Sequence, residues 1–221
     1  MQLNFEFMAK YLPWYLDAAI LTVRVAFLGI LFSLVIGICC AIIRYYKIPF
    51  LRFLVSAYIE ISRNTPLLVQ LFFLYFGLPK IGLVLSSEVC AVVGLTFLGG
   101  SYMAESLRSG LDSVERSQLE AAASLGMGRR LTMAEVVFPQ AMAVSVPGLC
   151  ANVIFLIKET SVVSGIALAD LMYVTKDLIG LYYETDEALI MLVIFYLVIL
   201  LPISLLASVL ERRLRHAGFG N

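Results

Sequence analysis

Glu120-Ala121-Ala122, three residues, Gly126, nine residues, and then Val136-Val137-Phe138-Pro139 form a polar, small-residue stretch between strongly apolar ones. Alanine side chains let another backbone approach closely. Gly126 lets the chain leave a helix through a left-handed residue. The stretch therefore predicts a helix, a glycine turn and a second helix over about residues 119–139. The apolar runs on either side decide what this polar piece connects.

Those runs are membrane spans. Of 221 residues, 61% are hydrophobic and 14% charged, too few charges to cover a soluble surface of this size. The chain reads as an all-α integral membrane protein with one domain over residues 1–221. About five segments approach or exceed the ~20 residues a bilayer requires: 16–43, 50–76, 89–111, 141–159 and 188–210. Residues 1–17 have Lys10 as their sole basic residue, and no small-residue cleavage site follows, so the first run is expected to remain as a span. A formal net charge of zero excludes a nucleic-acid signature for the chain as a whole. Cys39, Cys40, Cys90 and Cys150 sit in apolar runs and read as small hydrophobes, and His216 lies in a basic tail.

The connectors set an orientation. Arg44, Lys47 and Arg52 flank the first connector, Arg108, Arg116, Arg129 and Arg130 the third, and Arg212, Arg213 and Arg215 follow the last span. The opposite connectors hold Lys10, Lys80 and Lys176, and the last of them is acidic, with Asp170, Asp177, Glu184, Asp186 and Glu187. The positive-inside rule then puts the N-terminus outside, the C-terminus inside and the 119–139 stretch in the cytoplasm.

Two spans carry interruptions. Arg63-Asn64-Thr65-Pro66 lies near the middle of the second, where proline removes a hydrogen-bond donor. The fourth ends in Lys158-Glu159-Thr160-Ser161 and runs into an apolar stretch too irregular to be a span. Broken helices at membrane depth persist where protein or a water-filled cavity satisfies their backbone, and in transporters such breaks line substrate sites. A plain proline kink is the other account of the first break.

Charges in a span cost roughly 2.5–3.5 kcal/mol each and need partners. Glu60 and Arg63 share a helical face roughly 15–20 Å from the start of span two, and Glu105 and Arg108 repeat the spacing. Lys158 and Glu159 are adjacent, point apart and are expected to find partners on other helices. Each pair reads either as a packing ion pair or as cavity lining. Arg24 can snorkel outward. A lining with both signs suits a zwitterionic amino acid better than a sugar, which calls for aromatic stacking and amides.

The Glu120–Pro139 stretch resembles the EAA loop of ABC importer permeases, E-A-A-x3-G-x9-I-x-L-P, with Val136 for Ile and Phe138 for Leu. Ile61-Ser62-Arg63-Asn64-Thr65-Pro66-Leu67-Leu68-Val69-Gln70-Leu71, Tyr75-Phe76-Gly77-Leu78-Pro79, Tyr102-Met103-Ala104-Glu105-Ser106-Leu107-Arg108-Ser109-Gly110 and Lys158-Glu159-Thr160-Ser161 resemble the polar amino acid uptake branch of that family. Asn64 and Ser109 stand where the family usually has glycine. The likeness runs from about residue 18 to the C-terminus.

The resemblance implies a type I importer permease fold with a cytoplasmic coupling helix, moving a polar amino acid across a bacterial cytoplasmic (inner) membrane by alternating access. It implies two ATPase subunits, a second permease subunit, an external or periplasmic amino-acid-binding protein and a lipid bilayer as surroundings. Glu120, Ala121, Ala122 and Gly126 map onto the coupling helix. Glu60, Arg63, Glu105, Lys158, Glu159, Thr160 and Ser161 are the implied substrate-site candidates. No G-x4-G-K-S/T run exists, so ATP and Mg would be held by the partner, with no cofactor here and no enzyme activity in this chain. The alternative is a self-contained ion-coupled carrier or small channel, with Glu60, Glu105 and Glu159 as a proton relay.

Overall fold

The computed structural model describes the backbone of residues 3–218 and the side chains of residues 3–213, so the Arg215 and His216 side chains of the basic tail lie outside the described residues. Its helices are α1 (Phe5–Tyr45), α2 (Pro49–Arg63), α3 (Leu67–Phe72), α4 (Ser87–Asp112), α5 (Arg116–Ser124), α6 (Arg129–Thr132), α7 (Phe138–Glu159), α8 (Leu171–Tyr182) and α9 (Thr185–Gly218). Among the described residues, four helical runs are long and apolar enough to cross a membrane: Phe5–Tyr45, Ser87–Asp112, Arg129–Ile166 and Thr185–Arg213.

The second expected span, 50–76, is two pieces rather than one helix. α2 stops at Arg63, and α3 starts after Pro66 and continues through a π turn at Phe73–Gly77 and a 3₁₀ turn at Leu78–Ile81. The helix that carries the first expected span begins well before residue 16. Lys10, Pro13 and Asp17 dilute its hydropathy, yet the Asn4 side chain caps α1 by accepting from the Phe7 N–H at 3.0 Å. Span four is reached through a π turn at Met133–Val137 that joins α6 to α7.

Contacts along the chain set the directions. Arg24 meets Glu88, Ser33 bonds the carbonyl of Leu95 and Arg44 meets Glu105, so α1 and α4 run parallel. α7 runs opposite to α4, because Gly110 abuts Ala141 and Ser145 while Asn152 bonds Ser106. Small residues make these seams. A Cβ on Gly37 would sit 2.5 Å from Met103 Cβ, and one on Gly110 would sit 2.0 Å from Ser145 Oγ. With lipid as solvent there is little hydrophobic drive between spans, so this closeness and its dispersion contacts hold them.

At the end where α1 begins, Phe7, Tyr11, Tyr15, Leu171, Leu178 and Met191 pack together. Tyr15 is fully buried, donates to the Ala188 carbonyl at 2.9 Å and lies 3.0 Å from Thr175 Oγ1. Asn4 ties α1 to the start of α9, giving its backbone N–H to Glu187 at 2.8 Å and its side-chain amide to Glu184 at 3.1 Å.

Candidate functional site

The helix–glycine–helix turn ends the molecule opposite Asn4. α5 closes in a Schellman motif, in which the Met127 N–H bonds the Ala122 carbonyl at 3.0 Å and the Gly126 N–H bonds the Ala123 carbonyl at 3.0 Å. Gly126 takes φ +73°, a left-handed conformation that costs other residues about 1–2 kcal/mol. No atom lies within 4 Å of where its Cβ would be, so nothing in this chain requires the empty space around it. Ala122 is buried beneath α5, whereas Glu120, Ala121 and Leu125 are exposed. Beside them Leu119, Ala123, Met127, Thr132, Met133, Tyr45 and Tyr46 bound a hollow of about 330 Å³. Arg129 and Val137 complete its lining, and Leu125 beside it is among the most exposed apolar side chains described.

The second region is where the two breaks meet. A Cβ on Gly165, in the 3₁₀ turn Thr160–Ile166, would lie 2.7 Å from Leu68 of α3. Leu67 and Leu71 of α3 and Val163 and Ile166 of the 3₁₀ turn share one buried cluster. The sequence marks each interruption separately. The fold stacks them. Gln70 repairs the first, its amide donating to the Ser62 carbonyl at 3.1 Å and the Thr65 carbonyl at 3.0 Å, while its own Oε1 is buried with no partner among the described residues.

The expected site residues part into groups here. Glu105 forms ion pairs with Arg44, with Arg108 at 3.6 Å and with Arg63 at 3.8 Å. The Arg63 guanidinium also lies 5.2 Å from the Tyr102 ring centroid. Glu60 is exposed and does not pair with Arg63; its carboxylate accepts from Asn64 Nδ2 at 3.2 Å. Lys158 is exposed and Glu159 half-buried, and among the described residues neither has the ion-pair partner expected of it, because both sit where α7 gives way to the turn and leaves room beside them. Thr160 is buried and Ser161 partly so, and their hydroxyls donate back to the carbonyls of Ile157 (2.7 Å) and Lys158 (2.9 Å), filling acceptors that the end of α7 leaves open. Arg24 pairs at 2.6 Å with Glu88, in the first turn of α4, and its side chain stays more than half exposed.

Three residues emerge that sequence reading passed over. Arg44 was counted only as inside charge, since its partnership with Glu105 spans 61 positions. Gln70 stood inside a quoted segment, and the nearness of Pro66 was the signal for a bridging amide. Asp170, placed in an acidic loop, is fully buried as the cap of α8, accepting from the Tyr173 N–H at 2.9 Å, with its second oxygen unpartnered among the described residues.

Residues 33–216 match the family described as "Binding-protein-dependent transport system inner membrane component". The chain is 40% identical over 175 residues to the probable amino-acid ABC transporter permease protein PatM of Vibrio harveyi, covering 78% of each. It is 32% identical over 212 residues to the probable glutamine ABC transporter permease protein GlnM of Bacillus subtilis (strain 168), covering 96% of this chain and 98% of that one. Among solved structures, an amino acid ABC transporter crystallised with histidines matches with a TM-score of 0.89 and 34% identity, over 96% of this chain and 100% of that one. The inward-facing MetNI methionine ABC transporter shares the fold, with a TM-score of 0.74 at 19% identity.

Proposed function

The chain belongs to the binding-protein-dependent transport system inner membrane component family, the non-catalytic permease part of ABC importers, and on that premise we propose that it moves a polar amino acid across a bacterial inner membrane by alternating access. The amino-acid reading is supported by the names of the similar permeases and by the solved amino acid transporter. Nothing among them supports a self-contained carrier or channel.

One observation carries the coupling half of the proposal. α5 presents exposed Glu120 and Ala121 beside a left-handed Gly126 with empty space around it. A docking cleft on an ATPase subunit is the complement such a surface fits, which puts this end of the molecule in the cytoplasm and Asn4 outside. Two ATPase subunits, a second permease and an external amino-acid-binding protein complete the assembly in this reading, with ATP and Mg held by the ATPases. For the cargo, Arg63 ends α2 at the first break and Lys158 and Glu159 end α7 at the second, and we assign them the substrate's carboxylate and ammonium, with Glu60, Glu105, Thr160 and Ser161 as their supporting shell.

The test compares Gly126→Asn, which tolerates a left-handed conformation, with Gly126→Val, which does not. Both chains should reach the membrane. Gly126→Val should lose ATP-dependent uptake and co-purifying ATPase, and Gly126→Asn should keep most of both. Full uptake by Gly126→Val would overturn the coupling assignment.

A further inference from the structure

At the α5–α6 end a second hollow, of about 110 Å³, lies between α1, α2 and α4. Four of its five charged lining residues are cations: Arg44, Lys47, Arg52 and Arg108, against Asp112. Arg44 and Arg108 are engaged by Glu105 and Asp112. Lys47 and Arg52 have no ion-pair partner among the described residues, so the hollow keeps an excess of positive charge. The chain holds Lys47 at its rim in a left-handed conformation, φ +53°, which is unfavourable for a lysine. Helix α2 starts just beyond it at Pro49 with no side-chain cap, adding its positive end to the same place.

The surroundings separate one kind of anion from another. Ile48, Leu51 and Phe53, which flank Arg52 around the start of α2, are 41%, 41% and 71% exposed, and Tyr46 is 64% exposed. A soluble phosphate would gain nothing from that apolar fringe. A molecule with an anionic head and hydrocarbon tails would use both parts, and, on the orientation proposed above, an excess of basic side chains at this inner face meets a leaflet rich in such molecules. We propose that the phosphate of an anionic phospholipid sits between Lys47 and Arg52 in this hollow, its acyl chains lying along Ile48, Leu51 and Phe53. The lipid would brace the α1–α2 turn against α4, next to the hollow that opens under α5, since Tyr45 lines both.

The experiment uses the full chain, purified in mild detergent and stripped of lipid, and reads two quantities: lipid retained in native mass spectra, and the thermal midpoint. The probes are phosphatidylglycerol, phosphatidylcholine and inorganic phosphate. Phosphatidylglycerol should be retained and raise the midpoint, while the other two should do neither. Lys47→Asn with Arg52→Gln should weaken phosphatidylglycerol retention roughly thirtyfold, and Arg52→Gln alone roughly fivefold. Lys80→Gln, which removes a cation at the other end of the molecule, should leave retention unchanged. The proposal falls if phosphatidylcholine is held equally well, if inorganic phosphate alone reproduces the thermal shift, or if Arg52→Gln and the double variant retain phosphatidylglycerol like the parent chain.

Discussion

Arg63 of α2 lies 3.8 Å from the carboxylate of Glu105 on α4, so the residue that ends the first half of a broken span is fastened to the span beside it. Glu105 holds Arg44 and Arg108 as well, and is itself about three-tenths exposed. Replacing it with Gln leaves Arg44 and Arg63 without their carboxylate and Arg108 with Asp112 alone. The expected loss is roughly 1–3 kcal/mol, below the figure for a fully buried pair because water screens this one in part. Thermal unfolding in detergent checks it. Arg44→Gln, which removes only one of three partners, should cost less than Glu105→Gln; the reverse order would mean that the cluster does not centre on the carboxylate.

Gln70→Leu should destabilise the chain by roughly 1–3 kcal/mol, since the Ser62 and Thr65 carbonyls lose the amide that both use. Gln70→Asn is one methylene too short to span the break and should not rescue. Midpoints of unfolding for the three chains, and uptake by the same three, make the measurement.

Gly110→Ala places a methyl 2.0 Å from Ser145 Oγ and 2.2 Å from the Ala141 carbonyl oxygen. The backbone oxygen has nowhere to go, so α4 and α7 must separate. A loss of about 1–3 kcal/mol is expected, with Gly180→Ala, where nothing lies within 4 Å, as the harmless counterpart. Limited proteolysis of membranes carrying each chain would show the difference.

Asp170 makes stability depend on pH. Burial pushes its carboxyl up to about 6, from 3.8, although the Tyr173 and Met172 backbone N–H groups and Lys176 favour the charged form, and Tyr196 of α9 lies near it as well. Because the folded value is above the unfolded one, the folded state holds the proton more tightly. Stability from this group is therefore complete below about pH 4 and declines as pH rises towards 6, by at most about 3 kcal/mol. Asp170→Asn, which can still cap α8, should flatten that decline and raise the thermal midpoint at pH 7. A scan of midpoints from pH 4 to pH 8 decides, and an unchanged slope in the variant would locate the dependence elsewhere.

What the sequence revealed and what it hid follow from distance along the chain. The break after Arg63 was legible because proline announces a missing donor within four residues of its neighbours. The glycine turn at Gly126 was legible for the same local reason. That the two breaks abut, Gly165 against Leu68, was not, since nothing in either segment names the other. The ion cluster was half legible: Arg108 sits three residues from Glu105, but Arg44 and Arg63 reach it only through the packing of α1 and α2 on α4. Hydropathy starts the first helix late, because a charged or proline-bearing turn scores as a boundary even where Asn4 has already started it.

The tie from Asn4 to Glu187 spans 183 positions. A ribosome makes Asn4 long before it makes Glu187. Until Glu187 is made, α1 can already be held to α4 through Arg24–Glu88 and Arg44–Glu105, but it lacks this tie. The join between α1 and α9 therefore closes after the joins between α1 and α4, and a chain halted before Glu187 should keep the second and lack the first.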